Sequence, residues 1–134
     1  MRGRDGEQRE RHLLRAQPQA VAEARELTRA ALTSWGLQPL LDPATLVVSE
    51  LVTNALTHAR SEMPLELRWG EGLLRISVTD ASPDSPERQD ADPGAEGGRG
   101  MHMVTELASG WGIEHLPSGK RVWAEIAIPA PPGR

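Results

Sequence analysis

The sequence predicts an α+β domain whose sheet is mostly antiparallel. Three observations carry that expectation. Leu46 to Ala59 has apolar residues at helical spacing, Leu65 to Val78 switches to alternation, and two more alternating runs close the chain.

Taken in order, Met1 to Glu10 is charged, contains glycine and has no period, which predicts a mobile tail over residues 1–10. A short strand is expected around Arg11 to Ala16. Pro18 then suits a first helical turn, and Val21, Ala24, Leu27, Ala31 and Trp35 recur at helical spacing until Gly36 stops the run. Asp42 and Pro43 read as N-cap and first helical residue of a second helix reaching about Arg60. Its apolar stripe is Val48, Leu51, Val52, Ala55, Leu56 and Ala59.

Leu65, Leu67 and Trp69 alternate with Glu66 and Arg68, Gly70-Glu71-Gly72 turns the chain, and Leu74, Ile76 and Val78 alternate with Arg75, Ser77 and Thr79. This pattern predicts a hairpin. Ser82 to Gly97 is rich in Pro, Asp, Ser and Gly, as in a disordered segment or a functional lid. A short helix is expected over MHMVTELA, from Met101 to Ala108. Two final strands, Trp111 to His115 and Arg121 to Ile128, are joined through Pro117-Ser118-Gly119. No internal repeat or domain boundary is visible. The expected organisation is a tail over 1–10, one domain over 11–129 and a tail over 130–134.

Composition narrows the function classes. The 134 residues suffice for one domain with a sizeable core. A net charge of −4 and pI near 5.6 give no footprint for direct nucleic-acid binding, and four Trp without Phe or Tyr make a poor base-stacking platform. Cysteine is absent, no apolar run approaches a membrane span, and the N-terminal residues have no apolar signal core. The expectation is a cytoplasmic protein without a membrane segment. Lys120 is the only lysine among many arginines, and the Ala, Gly and Pro bias points to a GC-rich bacterial genome.

Glu50, Asn54 and His58 stand four residues apart on the flank of the second helix. Glutamate can accept a proton and a carboxamide oxygen is a hard Mg²⁺ ligand. The same residues also suit the polar side of a surface helix. Asp80 shares the parity of Leu74, Ile76 and Val78, which puts a carboxylate on the core face of the sheet. There it needs a donor, because an unpaired buried charge costs several kcal/mol. A turn aspartate at a strand end is the alternative. Gly97 to Gly100, before a helix, allow backbone N–H groups to approach a phosphate, although glycines also occur in plain loops.

In this order, ELVTNALTHA, VTDASP and GGRGMHMV resemble the motifs of the GHKL ATPase superfamily, which includes gyrase-type ATPases and histidine kinases. The endings LASGWGI and SGKRVWAEI, with the short chain, look like anti-sigma-factor serine/threonine kinases of the RsbW type. The resemblance covers roughly Arg11 to Pro129. It implies the histidine-kinase-like ATPase fold: a two-layer sandwich of a mostly antiparallel mixed sheet with helices on one face. It also implies ATP and Mg²⁺ as cofactors. Glu50 corresponds to the catalytic glutamate, Asn54 to the Mg²⁺-binding asparagine and Asp80 to the adenine-binding aspartate. Gly98 and Gly100 correspond to the second glycine box, where Arg99 adds a charge that solvent would equally take, and His58 corresponds to a helix-flank residue.

The implied partners are an anti-anti-sigma protein of the STAS type, phosphorylated on serine or threonine, and a sigma factor sequestered by the protein. A homodimer is left open. The alternative is a nucleotide-gated binding module that binds ATP without phosphoryl transfer. Two departures favour it. Asp80-Ala81-Ser82-Pro83-Asp84 lacks both glycines of the first glycine box, and Arg121 stands where the family has an adenine-side threonine.

Overall fold

Five strands form one sheet in a computed structural model that describes residues 7–59, 62–80 and 103–128. In chain order the strands are β1 (Gln8–Arg15), β2 (Glu62–Gly70), β3 (Leu73–Asp80), β4 (Gly110–Leu116) and β5 (Gly119–Ala127). Their spatial order is β1-β2-β3-β5-β4, and all four pairings are antiparallel. Two long helices, α1 (Gln19–Ser34) and α2 (Leu41–Leu56), connect β1 to β2. Residues 103–107 are helical as well.

Alternation along each strand decides which face is buried. Met63, Leu65 and Leu67 of β2, Leu74, Ile76 and Val78 of β3, and Val122, Ala124 and Ile126 of β5 all point to one side and are buried. The register sets Leu65 beside Val78 and Val78 beside Val122, so these residues form rows across the sheet. α2 lies over β3 and β5, while α1 packs on α2, β1 and β2. The helix layer therefore covers this inner face and supplies Val47, Val48, Leu51, Val52 and Ala55. Each fully buried Val or Leu contributes about 1.5–3 kcal/mol of transfer free energy, which makes this two-layer seam the main cohesive element.

The α+β architecture and the β2–β3 hairpin agree with the sequence expectation. The turn itself is the two residues Glu71 and Gly72, at φ 54° and 78°. Both are left-handed, as a tight hairpin of this twist requires, and the non-glycine Glu71 carries some strain there.

Several boundaries differ, and β5 begins at Gly119 rather than Arg121, which brings Lys120 into the strand. β1 begins at Gln8, so Gln8, Arg9 and Glu10 are not tail but pair with Trp69, Arg68 and Leu67. β1 is an edge strand whose inward positions include Glu10 and His12, hydrogen-bonded to each other at 2.9 Å, and polar residues leave no alternation to detect. Asp42 is not the N-cap of α2. A 3₁₀ turn at Gln38–Leu40 leads straight into α2, which places Asp42 and Pro43 inside its first turn. Pro43 is tolerated because first-turn N–H groups have no intrahelical acceptor. At the other end α2 stops at Leu56 rather than Arg60, with the Thr57 hydroxyl donating to the Asn54 carbonyl at 2.7 Å. His58 thus follows the helix instead of extending its flank.

Candidate functional site

The end of β3 and the start of β5 meet on the inner face, next to the helix layer. Asp80 is the last residue of β3, Lys120 the second of β5, and the register sets them directly opposite. The Lys120 Nζ donates to Asp80 Oδ2 at 2.9 Å, with the two side chains only 4% and 2% exposed. Asp80 Oδ1 accepts no hydrogen bond among the described residues.

This arrangement answers the question that parity raised. A carboxylate on the core face needs a donor, and the chain provides one in its single lysine. Sequence reasoning missed Lys120. The signal was present, because Lys120 has the parity of Val122, Ala124 and Ile126 and so belongs to the inner face. Arg121, which the sequence suggested as the residue on the adenine side, has the opposite parity. It lies on the outer face, where its Nη1 donates to Glu114 Oε1 at 2.8 Å. The residue that touches Asp80 is Lys120.

α2 supplies the second part of the site. Glu50 and Asn54 are one turn apart in the helix, both half-buried beside the apolar stripe. Neither side chain has a hydrogen-bond or ion-pair partner among the described residues. Half-buried polar groups held on a rigid helix without partners are available to a ligand. No cluster of three or more His, Cys, Asp or Glu able to hold a metal occurs among the described residues. Such a cluster is not needed for Mg²⁺, which keeps several waters and is commonly held by one or two protein oxygens together with phosphates. Asn54 fits that kind of ligand. Gly98, Arg99 and Gly100 lie outside the described residues.

A shallow cavity of about 200 Å³ is lined by Glu66, Arg68, Arg75, Ser77 and Arg121. Those residues belong to the outer face of the sheet, so this cavity is separate from Asp80 and α2.

Residues 14–126 match the family described as the histidine kinase-like ATPase domain. The chain belongs to that family. Its fold is also similar to the histidine kinase domain of the Erythrobacter litoralis EL346 blue-light activated histidine kinase. The similarity has a TM-score of 0.53 at 28% identity, over 66% of this chain and 44% of that one. The chain thus spans less than half the length of that solved structure. Among curated proteins no sequence matches. No helix among the described residues is long and apolar enough to cross a membrane.

A histidine kinase-like ATPase domain is consistent with ATP binding.

Proposed function

We propose that this domain binds ATP with Mg²⁺ and transfers the γ-phosphoryl group to a serine or threonine of a STAS-type anti-anti-sigma protein, releasing or retaining a sigma factor accordingly. The observation that carries the reading is the pair Glu50 and Asn54: one turn apart, half-buried and without a partner among the described residues. In this reading Asn54 ligates Mg²⁺, and Mg²⁺ supplies positive charge against the phosphates. Asp80 accepts a hydrogen bond from the adenine amino group. Gly98 and Gly100 meet the phosphates, with Arg99 adding charge. Glu50 accepts the proton of the partner's hydroxyl as that oxygen bonds to the γ-phosphorus and the bond to the leaving ADP breaks. Positioning and electrostatics account for such a reaction without a covalent enzyme intermediate.

Two variants separate the roles. Asn54→Ala should weaken Mg²⁺-dependent ATP binding together with turnover. Glu50→Gln keeps its shape and should bind ATP nearly as wild type does while transferring phosphate ~10²–10⁴-fold more slowly. Calorimetry measures the first effect and radiolabel transfer to an anti-anti-sigma protein the second. Transfer by Glu50→Gln at the wild-type rate would remove glutamate as the base.

One observation favours the second reading, a nucleotide-gated binding module without transfer. The segment after Asp80 lacks both glycines of the first glycine box. ATP binding by wild type with no labelled partner would select this module.

A further inference from the structure

We propose that the outer face of the sheet holds a second ligand site, which takes a tetrahedral oxyanion that carries a proton, inorganic phosphate being the simplest. The site lies on the face opposite the helix layer and does not depend on how the inner face is used.

The first observation is a row of like charges. The register sets Arg9 of β1 opposite Arg68 of β2, and Arg68 opposite Arg75 of β3. Like charges directly opposite one another on one face of a sheet are destabilising. Arg9 and Arg75 each have a carboxylate that offsets this, Glu66 at 3.6 Å and Glu125 at 2.9 Å. Arg68, in the middle of the row, is exposed and has no hydrogen bond or ion pair among the described residues. Stability alone gives no reason for a third arginine at this position, whereas a bound anion does.

The second observation is the cavity of about 200 Å³ beside this row, lined by Glu66, Arg68, Arg75, Ser77 and Arg121. Arg75 and Arg121 each give one Nη1 donor to a carboxylate, of Glu125 and Glu114 respectively. Their other N–H donors are not engaged among the described residues. Ser77 is only 5% exposed, and its hydroxyl makes no hydrogen bond among the described residues. The only side-chain polar atom that is both sealed and unpartnered among the described residues is Thr28 Oγ1, so the Ser77 hydroxyl opens into the cavity. Three guanidinium groups and a hydroxyl thus share one concavity, and planar guanidinium donors suit oxyanions in particular.

Glu66 narrows the ligand class. Its carboxylate lines the same cavity, where it repels a bare anion but accepts a hydrogen bond from a P–OH group. Inorganic phosphate keeps at least one such proton throughout the neutral range, and sulfate keeps none. A site built around a fixed acceptor rejects the analogue that lacks the donor, because the acceptor is then left unpaired.

The test is calorimetry on the full chain at neutral pH and constant ionic strength, without Mg²⁺, titrating inorganic phosphate and then sulfate. Wild type should bind phosphate saturably and sulfate about ten-fold more weakly, the effect of one lost hydrogen bond to a charged group. Arg68→Met should lower phosphate affinity about ten-fold or more, since it removes the one arginine with no other partner. Glu66→Gln should abolish the preference for phosphate over sulfate, which a general loss of structure would not do. The comparison of the two anions on wild type needs no variant, so it stands even if a variant misfolds. No saturable phosphate binding by wild type would overturn the site. Phosphate binding that Arg68→Met leaves unchanged would also overturn it, by placing the anion elsewhere on the molecule. Equal affinities for phosphate and sulfate would overturn the assignment to a protonated oxyanion.

Discussion

The two central strands carry a controlled comparison. Asp80 and Lys120 are direct cross-strand neighbours of β3 and β5, and so are Arg75 and Glu125. Each pair is bridged at 2.9 Å. Strands and distance are the same, while the face differs and with it the type of pair, since hydrogen-bonded and non-hydrogen-bonded pairs alternate along an antiparallel ladder. The inner pair is 4% and 2% exposed, whereas Arg75 and Glu125 are 34% and 28% exposed on the face without helices. Distance therefore says little about what either pair contributes. Water decides it: the outer charges keep much of their hydration and are screened, while the inner charges are cut off from solvent and depend on their protein partners.

The largest effect should follow from breaking the inner pair. Lys120→Met or Asp80→Ala leaves a buried charge without its partner, which typically costs about 3–5 kcal/mol. Urea unfolding followed by circular dichroism measures it. The double variant Asp80→Leu with Lys120→Met removes both charges and should recover most of that loss, since a well-packed apolar pair is often as stable as a buried ion pair. Single variants within about 1 kcal/mol of wild type, the usual range of exposed pairs, would erase the contrast between the faces.

Parity made much of this legible before any coordinates. Leu65 to Val78 alternates clearly because one face of β2 and β3 is buried, and the same alternation located Asp80 on the core side. The helical stripe of α2 was equally visible, as its buried residues recur at helical spacing. What stayed hidden has local causes. β1 presents Glu10 and His12 inward, so its first residues carry no apolar alternation. Asp42-Pro43 has the residue types of a helix start, but the 3₁₀ turn before it brings the chain in already helical. Within the candidate site, spacing singled out Glu50 and Asn54 and parity Asp80, while the family resemblance supplied their expected roles. The partner of Asp80 was not singled out, because cross-strand register is a tertiary property and Lys120 lies forty residues away in sequence.

Packing on the outer face provides a second, smaller test. Gly112 of β4 faces Trp123 of β5 in the register, and a Cβ at Gly112 would come within 2.9–3.0 Å of the indole ring. Gly112→Ala must push the ring aside, at a cost of about 1–3 kcal/mol for overpacking. Because Arg75 stacks over that ring at 4.3 Å, the displacement should also change the environment of Trp123. Tryptophan fluorescence and urea unfolding should both report it. An unchanged midpoint would show that the outer face yields freely, which sharpens its contrast with the inner seam.

The smallest effects belong to the outer ion pair itself, and salt is what distinguishes them. Glu125→Gln removes one charge from a partly exposed pair and should cost about 0–1 kcal/mol. Arg75→Ala loses that pair and also its stacking on Trp123, worth about 0.5–1 kcal/mol more at an exposed site. Arg75→Ala should therefore be the more costly of the two at low ionic strength. Raising salt toward 1 M shortens the Debye length to about 3 Å, which should shrink the Glu125→Gln penalty toward zero while leaving most of the stacking contribution in place. The penalty for losing Lys120 should barely move over the same range, because a buried pair is screened much less. Unfolding of all three variants at low and high salt makes the comparison directly. If the Lys120 and Glu125 penalties fall in parallel as salt rises, the inner pair is reached by solvent as readily as the outer one, and the distinction between the two faces fails.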